Sequence, residues 1–141
     1  MTARISKKYI IHGKPIPLAR PRLTRNIVYD SQKRKKLIMI DDLMFQHGLE
    51  EMFSVPVHMY VDFYFGLPND KKRKELLLKQ RYHCSTPDLD NLIKMVGDVC
   101  VDSGVIKDDC LIASISARKF YDENGARTEF IISEIVRKTG E

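Results

Sequence analysis

An α+β domain is predicted, a small mixed sheet carrying two main helices on one face. Three observations predict it. The chain has 141 residues, the span of one ordinary domain and long enough to bury its own core. Residues 55–65 alternate apolar and polar side chains, while two other segments space their apolar residues as helices do. In chain order the patterns run strand, short strand, helix, strand, helix, strand, strand, which is neither a βα repeat nor an all-β array. No internal repeat or linker divides residues 1–141, so a single domain is expected.

The first strand is residues 8–12, Lys-Tyr-Ile-Ile-His, ended by Gly13 and by Pro15, Pro17 and Pro21. Proline donates no ladder hydrogen bond, so residues 14–22 should form an extended, irregular arm. Residues 26–29 read as a short strand. Asp30 or Ser31 then has the side chain to cap a helix running to about His47, with Gly48 behind it. Leu37, Ile40, Leu43 and Met44 form the apolar stripe of that helix and are expected in the core. In residues 55–65, Val55, Val57, Met59, Val61, Phe63 and Phe65 share one face, and His58, Tyr60, Asp62 and Tyr64 the other. That is a strand with one buried face. Residues 71–81 read as a charged loop or a short exposed helix. A second main helix lies within 87–100, and Gly104 ends that region. Residues 111–121 are a strand, Asn124-Gly125 signals a hairpin turn, and 128–136 return antiparallel.

Composition excludes several classes. With 43% apolar and 30% charged residues the chain is neither disordered nor membrane-embedded. No run approaches the roughly 20 apolar residues that cross a bilayer. Residues 1–8 lead straight into a strand pattern, so a cytoplasmic protein without a membrane partner is expected. Cys84, Cys100 and Cys110 are odd in number and lack a Cys-x-x-Cys pair, which argues against a disulfide framework and a zinc knuckle. Free, mostly buried thiols are expected. His12, His47, His58 and His83 are scattered, and neither His-Glu-x-x-His nor Gly-x-Ser-x-Gly occurs. These histidines are expected to be structural or surface groups, and no organic cofactor is expected.

Charge carries the functional signal. The net charge is +5, yet it is unevenly spread. Residues 1–40 hold many cations, among them Lys14, Arg20, Arg22 and Arg25, against the single acid Asp30. Lys71, Lys72, Arg73, Lys74 and Arg81 make a second basic run. Between residues 86 and 109 the sign reverses: Asp88, Asp90, Asp98, Asp102, Asp108 and Asp109 face only Lys94 and Lys107. Basic arms around an acidic centre suit a protein that grips a phosphate backbone and does metal chemistry on it. The named cations of both runs are the expected DNA contacts.

At about 100° per residue, Asp90, Lys94 and Asp98 fall within about 80° of a helix's circumference, while Leu92, Ile93, Val96, Val99 and Cys100 fall on the opposite side. The helix thus has a wet acidic face with a lysine inside it. Asp88 joins Asp90 only if the chain is still extended there, since i and i+2 share a side in a strand but not in a helix. Pro87 favours an extended Thr86 in front of it. One acid of Asp108-Asp109 can return to the same place. Hard oxygen ligands of this kind suit Mg²⁺ or Mn²⁺. Capping and solvation of a helix start would explain Asp88 and Asp90 alone, but not the further acids.

The string Asp88-Leu89-Asp90-Asn91-Leu92-x-Lys94, followed by Asp98 and then Lys107-Asp108-Asp109, resembles the signature of RusA-type Holliday-junction resolvases, crossover-junction endodeoxyribonucleases common in phages and prophages. Gly13-Lys14-Pro15-Ile16-Pro17, Arg20-Pro21-Arg22 and Val28-Tyr29-Asp30 resemble the N-terminal arm of that family and its continuation. The resemblance covers nearly the whole chain. It implies a homodimeric, Mg²⁺-dependent α+β nuclease, with Mn²⁺ able to substitute, that resolves four-way DNA junctions in recombination and repair. It implies that Asp88, Asp90 and Asp109 are the catalytic, metal-holding carboxylates and Lys94 the catalytic lysine, with Asp98 and Asp108 as supporting acids. Segment 70–83 is longer and more basic than the family pattern. The rival readings are a non-catalytic nucleic-acid-binding module and a metal-dependent nuclease on flap or duplex DNA. For the implied dimer, the apolar candidates are Ile38 and Phe45, off the stripe of the first helix, and the segment 52–56.

Overall fold

The computed structural model describes residues 5–18, 22–24, 27–29 and 32–135. Asp30, Ser31, Arg20, Arg25, Val136 and the side chain of Arg22 lie outside the described residues. In chain order the elements are β1 (Ser6–His12), β2 (Arg22–Thr24), β3 (Ile27–Tyr29), α1 (Lys33–His47), β4 (Val57–Phe65), α2 (Lys71–Gln80), α3 (Leu89–Asp102), a 3₁₀ turn (Asp109–Leu111), β5 (Ile112–Tyr121) and β6 (Arg127–Glu134). This is the predicted α+β class. β1, β6, β4 and β5 form a four-stranded mixed sheet in that order, and β2 pairs with β3 in a separate two-stranded ribbon.

β4 is the centre of the molecule. Val57, Met59, Val61, Phe63 and Phe65 are all buried, as the alternation predicts, and Val55 lies exposed ahead of the strand. Tyr9 and Ile11 of β1 and Phe130 and Ile132 of β6 extend the same apolar layer. Met39 and Leu43 of α1, with Leu92, Met95, Val96, Val99 and Cys100 of α3, close over it. Fully burying one such side chain contributes about 1.5–3 kcal/mol, so this layer fixes α3 and the residues on its outer face.

Three expectations are corrected by packing. Asn124-Gly125 does form a turn, with Gly125 at φ +106°, but β5 and β6 are not neighbours. β4 lies between them, parallel to β5 and antiparallel to β6. A two-residue turn joins only adjacent strands. Here the loop must cross two strand spacings, about 9.5 Å, and the Arg127 guanidinium holds it by donating to Asp122 Oδ2 at 2.8 Å and to the Gly125 carbonyl at 3.0 Å.

The buried row of α1 is Met39, Leu43 and His47, with Ile40 half-buried, while Leu37 and Met44 are exposed. Apolar residues sit almost all round this helix, so periodicity alone leaves its phase open. The partner decides it: the Tyr9 hydroxyl and His47 Nδ1 share a buried 2.7 Å hydrogen bond. The cysteines are free, but only Cys100 is buried, and Cys84 and Cys110 are exposed.

Segment 71–81 resolves as the helix α2, capped by Asp70, whose carboxylate accepts the Arg73 N–H at 3.4 Å. None of its residues is buried. Among the described residues no helix is long and apolar enough to cross a membrane.

Candidate active site

Asp88 stands immediately before α3 with extended backbone, φ −70° and ψ 145°, and its side chain makes no capping hydrogen bond. The carboxylate is therefore not spent on the helix start. Asp90 lies in the first turn of α3 and Lys94 one turn later, both exposed. Among the described residues Asp88, Asp90 and Lys94 take part in no ion pair. The apolar back of α3 forces this face outward, as the spacing predicts, although Ile93 is only partly buried and Met95 takes a core place that the predicted set omits.

Asp98 is different. Its carboxylate bonds the Lys36 ammonium of α1, which also reaches Asp102 Oδ2 at 3.3 Å. The Asp98 hydrogen bond is the largest of the effects that raise the Lys36 pKa above its ordinary value. Next to Asp98, Gly97 packs against Ile112, bringing the start of β5 and the 3₁₀ turn against α3.

That turn carries the last two acids. Asp108 accepts the Cys110 N–H at 3.1 Å, and this bond, with one to Asp109, holds its carboxyl below the usual range. Asp109 is pushed above the usual range, chiefly by the hydrogen bond it shares with Asp108, with the charge of Asp98 adding to it. The structure thus brings Asp98, Asp108 and Asp109 together. Asp90 lies about 12 Å up the helix from Asp98, with Lys94 midway. Among the described residues no three acidic, imidazole or thiol groups already stand as a metal-holding set. The donors themselves, exposed carboxylates at 88 and 90 without an ion pair among the described residues and a crowded pair of like charges at 108 and 109, are of the type a hard divalent cation takes.

One of the basic elements borders this face. The arm passes next to it: Leu18 N–H donates to the Asn91 carbonyl at 3.0 Å, one residue from Asp90. Lys14 is exposed at the root of the arm. Lys71, Lys72, Arg73 and Lys74 crowd the start of α2, exposed and without an ion pair among the described residues. Arg81 lies over the rings of Tyr82 and Phe120 at 5.8 and 5.2 Å.

His83 stacks on Phe65 at 3.8 Å and packs against Tyr121 at 4.9 Å, a structural place. In the sequence Lys36 is one cation among many in residues 1–40. No local spacing links it to Asp98, because the contact spans 62 residues.

The family model Endodeoxyribonuclease RusA matches residues 12–133, a span that includes every acid of this face, Lys94 and the arm. No curated protein matches the chain.

Proposed function

Because this chain belongs to the RusA family of endodeoxyribonucleases, we propose that it is a divalent-metal-dependent nuclease that resolves four-way DNA junctions by paired symmetric nicks. One observation carries the reading: Asp88, Asp90 and Lys94 stand exposed and, among the described residues, without an ion pair, although ordinary capping and salt-bridge lacing were open to them. A helix that needed these groups only for solubility would lace them at i, i+4.

In this reading Asp88, Asp90 and Asp109 hold Mg²⁺, with Mn²⁺ as a substitute. The ion, when bound, supplies an activated water and neutralises the scissile phosphate. Lys94 stabilises the charge that develops on the phosphate in the transition state, the type of contribution that usually dominates such reactions. Asp98 and Asp108 support the site: Asp98 adds its charge beside Asp109, and Asp108 orients the 3₁₀ turn through its bond to Cys110. Lys14, with Arg20, Arg22 and Arg25, and the α2 cluster with Arg81 contact the DNA backbone, which positions the substrate without reading its sequence.

Resolution needs two nicks in opposing strands, and one chain carries one such face. We therefore propose a two-fold dimer. Its support is the apolar surface of α1 and the segment after it, where Ile38 is 63% and Phe45 86% exposed and Met52 and Val55 are exposed too. Phe53, by contrast, belongs to the monomer core. Large apolar side chains left exposed in this way are the kind of surface that a partner chain covers.

The test is cleavage of synthetic junction, flap and duplex DNA with Mg²⁺. Symmetric nicking of the junction in preference to the others is expected. Binding of junctions without cutting under any divalent ion would make the protein a binding module, and equal cutting of flap or duplex would make it a broader nuclease.

A further inference from the structure

We propose that Lys36 is a positioning residue for Lys94: by holding Asp98 and Asp102, it keeps the Lys94 ammonium unpaired and available to a phosphate. The inference rests on the role given to Lys94 above and extends it to a residue on another helix.

Lys94 has Asp90 four residues before it and Asp98 four residues after it. Opposite charges at that spacing face each other and pair on an isolated helix. The folded chain shows neither pair. Asp98 turns instead to Lys36, whose side chain is only 20% exposed and is anchored between α1 and α3. The same ammonium takes Asp102, one turn further on. A lysine held by packing loses less freedom on pairing than an exposed one, so Lys36 outcompetes Lys94 for Asp98. The groups facing this contact are Asp98 and Asp102 on α3, and Asp109 of the 3₁₀ turn, close enough to feel the charge of Asp98. Without Lys36, two carboxylates would lie uncompensated on the face that receives DNA, and the nearest cation on α3 would be Lys94.

The size of the effect follows from one added carboxylate beside that ammonium. At a helix-turn separation of about 6 Å and an effective dielectric of about 40, between the values near a protein surface and in water, the interaction corresponds to about a tenfold change.

The experiment compares wild type with Lys36→Met, Lys36→Arg, Asp98→Asn and the double variant Lys36→Met/Asp98→Asn. Two readouts are taken: single-turnover junction cleavage, and the side-chain ammonium NMR signal of Lys94 in metal-free, DNA-free protein. Lys36→Met should lose about tenfold in turnover and shift the Lys94 signal. The double variant should return the Lys94 signal to its wild-type position, and Lys36→Arg should resemble wild type in both readouts. If Lys36→Met lowers turnover while the Lys94 signal stays in place, Lys36 merely fastens two helices and the proposal is overturned. Should Lys36→Met melt, Lys36→Gln is read in the same way. If wild type cuts no DNA, the nuclease reading fails, while the NMR comparison still decides whether Lys36 keeps Lys94 free.

Discussion

Lys94→Ala separates chemistry from stability more sharply than any other single change. Lys94 is exposed and has no ion pair among the described residues, so its removal breaks no contact that holds the fold. Surface changes of this kind stay within about 0.5 kcal/mol, and alanine is a slightly better helix former than lysine. The melting temperature should therefore hold or rise slightly. If the ammonium meets transition-state charge, its loss should resemble removal of one preorganised donor, about 10²–10³ in turnover, or about 2.7–4 kcal/mol. One lost phosphate contact would instead flatten the salt dependence of binding by about one unit in log–log slope. The assay is single-turnover nicking of a labelled four-way junction with saturating enzyme, with binding measured across salt and a thermal melt alongside. A large fall in turnover with nearly unchanged affinity is expected. Equal losses in both, or a melt lower by more than about 1 kcal/mol of stability, would refute the reasoning.

Two more predictions rest on other parts of the molecule. His83 is held below its ordinary value of 6.5, chiefly by burial, with Lys119 and Lys14 adding to it, so folding favours the neutral ring. A depressed folded value means that this stability is full above 6.5 and is lost as pH falls through the folded value; melts over the acid side of that range should therefore destabilise wild type more than His83→Phe, and parallel curves would count against it. At the proposed dimer surface, Phe45→Glu should convert a two-chain species into one chain in sedimentation without lowering the melt of the monomer, because the ring is 86% exposed in the single chain; a wild type that already sediments as one chain would defeat the two-fold arrangement.

Much of the fold is legible in the chain because the strongest patterns belong to elements whose partners are generic. β4 buries every second residue against whatever covers it, and the string of residues 88–98 carries both an apolar back and an acidic front in its spacing alone. The extended backbone at Asp88 is readable too, since an aspartate two residues ahead of another can share its side only outside a regular helix. Other features are not readable, each for a physical reason. The phase of α1 depends on Tyr9, 38 residues away from its partner His47. The position of β6 depends on which edge of β4 is free, and Asn124-Gly125 reports a local turn, not its neighbours. The Lys36 contact that sets Asp98 apart from Asp90 joins two helices across 62 residues. The carboxylates of the candidate site can be named from sequence, but which of them pair with groups elsewhere in the chain is a tertiary property.

The measurement that bears most directly on the whole account is junction cleavage and junction binding by Asp90→Asn at one Mg²⁺ concentration. The carboxylate is exposed and has no ion pair among the described residues, so its loss should leave the melt unchanged within about 0.5 kcal/mol. If it holds the divalent ion, nicking disappears while junction binding is kept or tightened, because one negative charge facing the phosphates has gone. Retained nicking, or binding lost together with nicking, would contradict a metal-holding role for this face of α3.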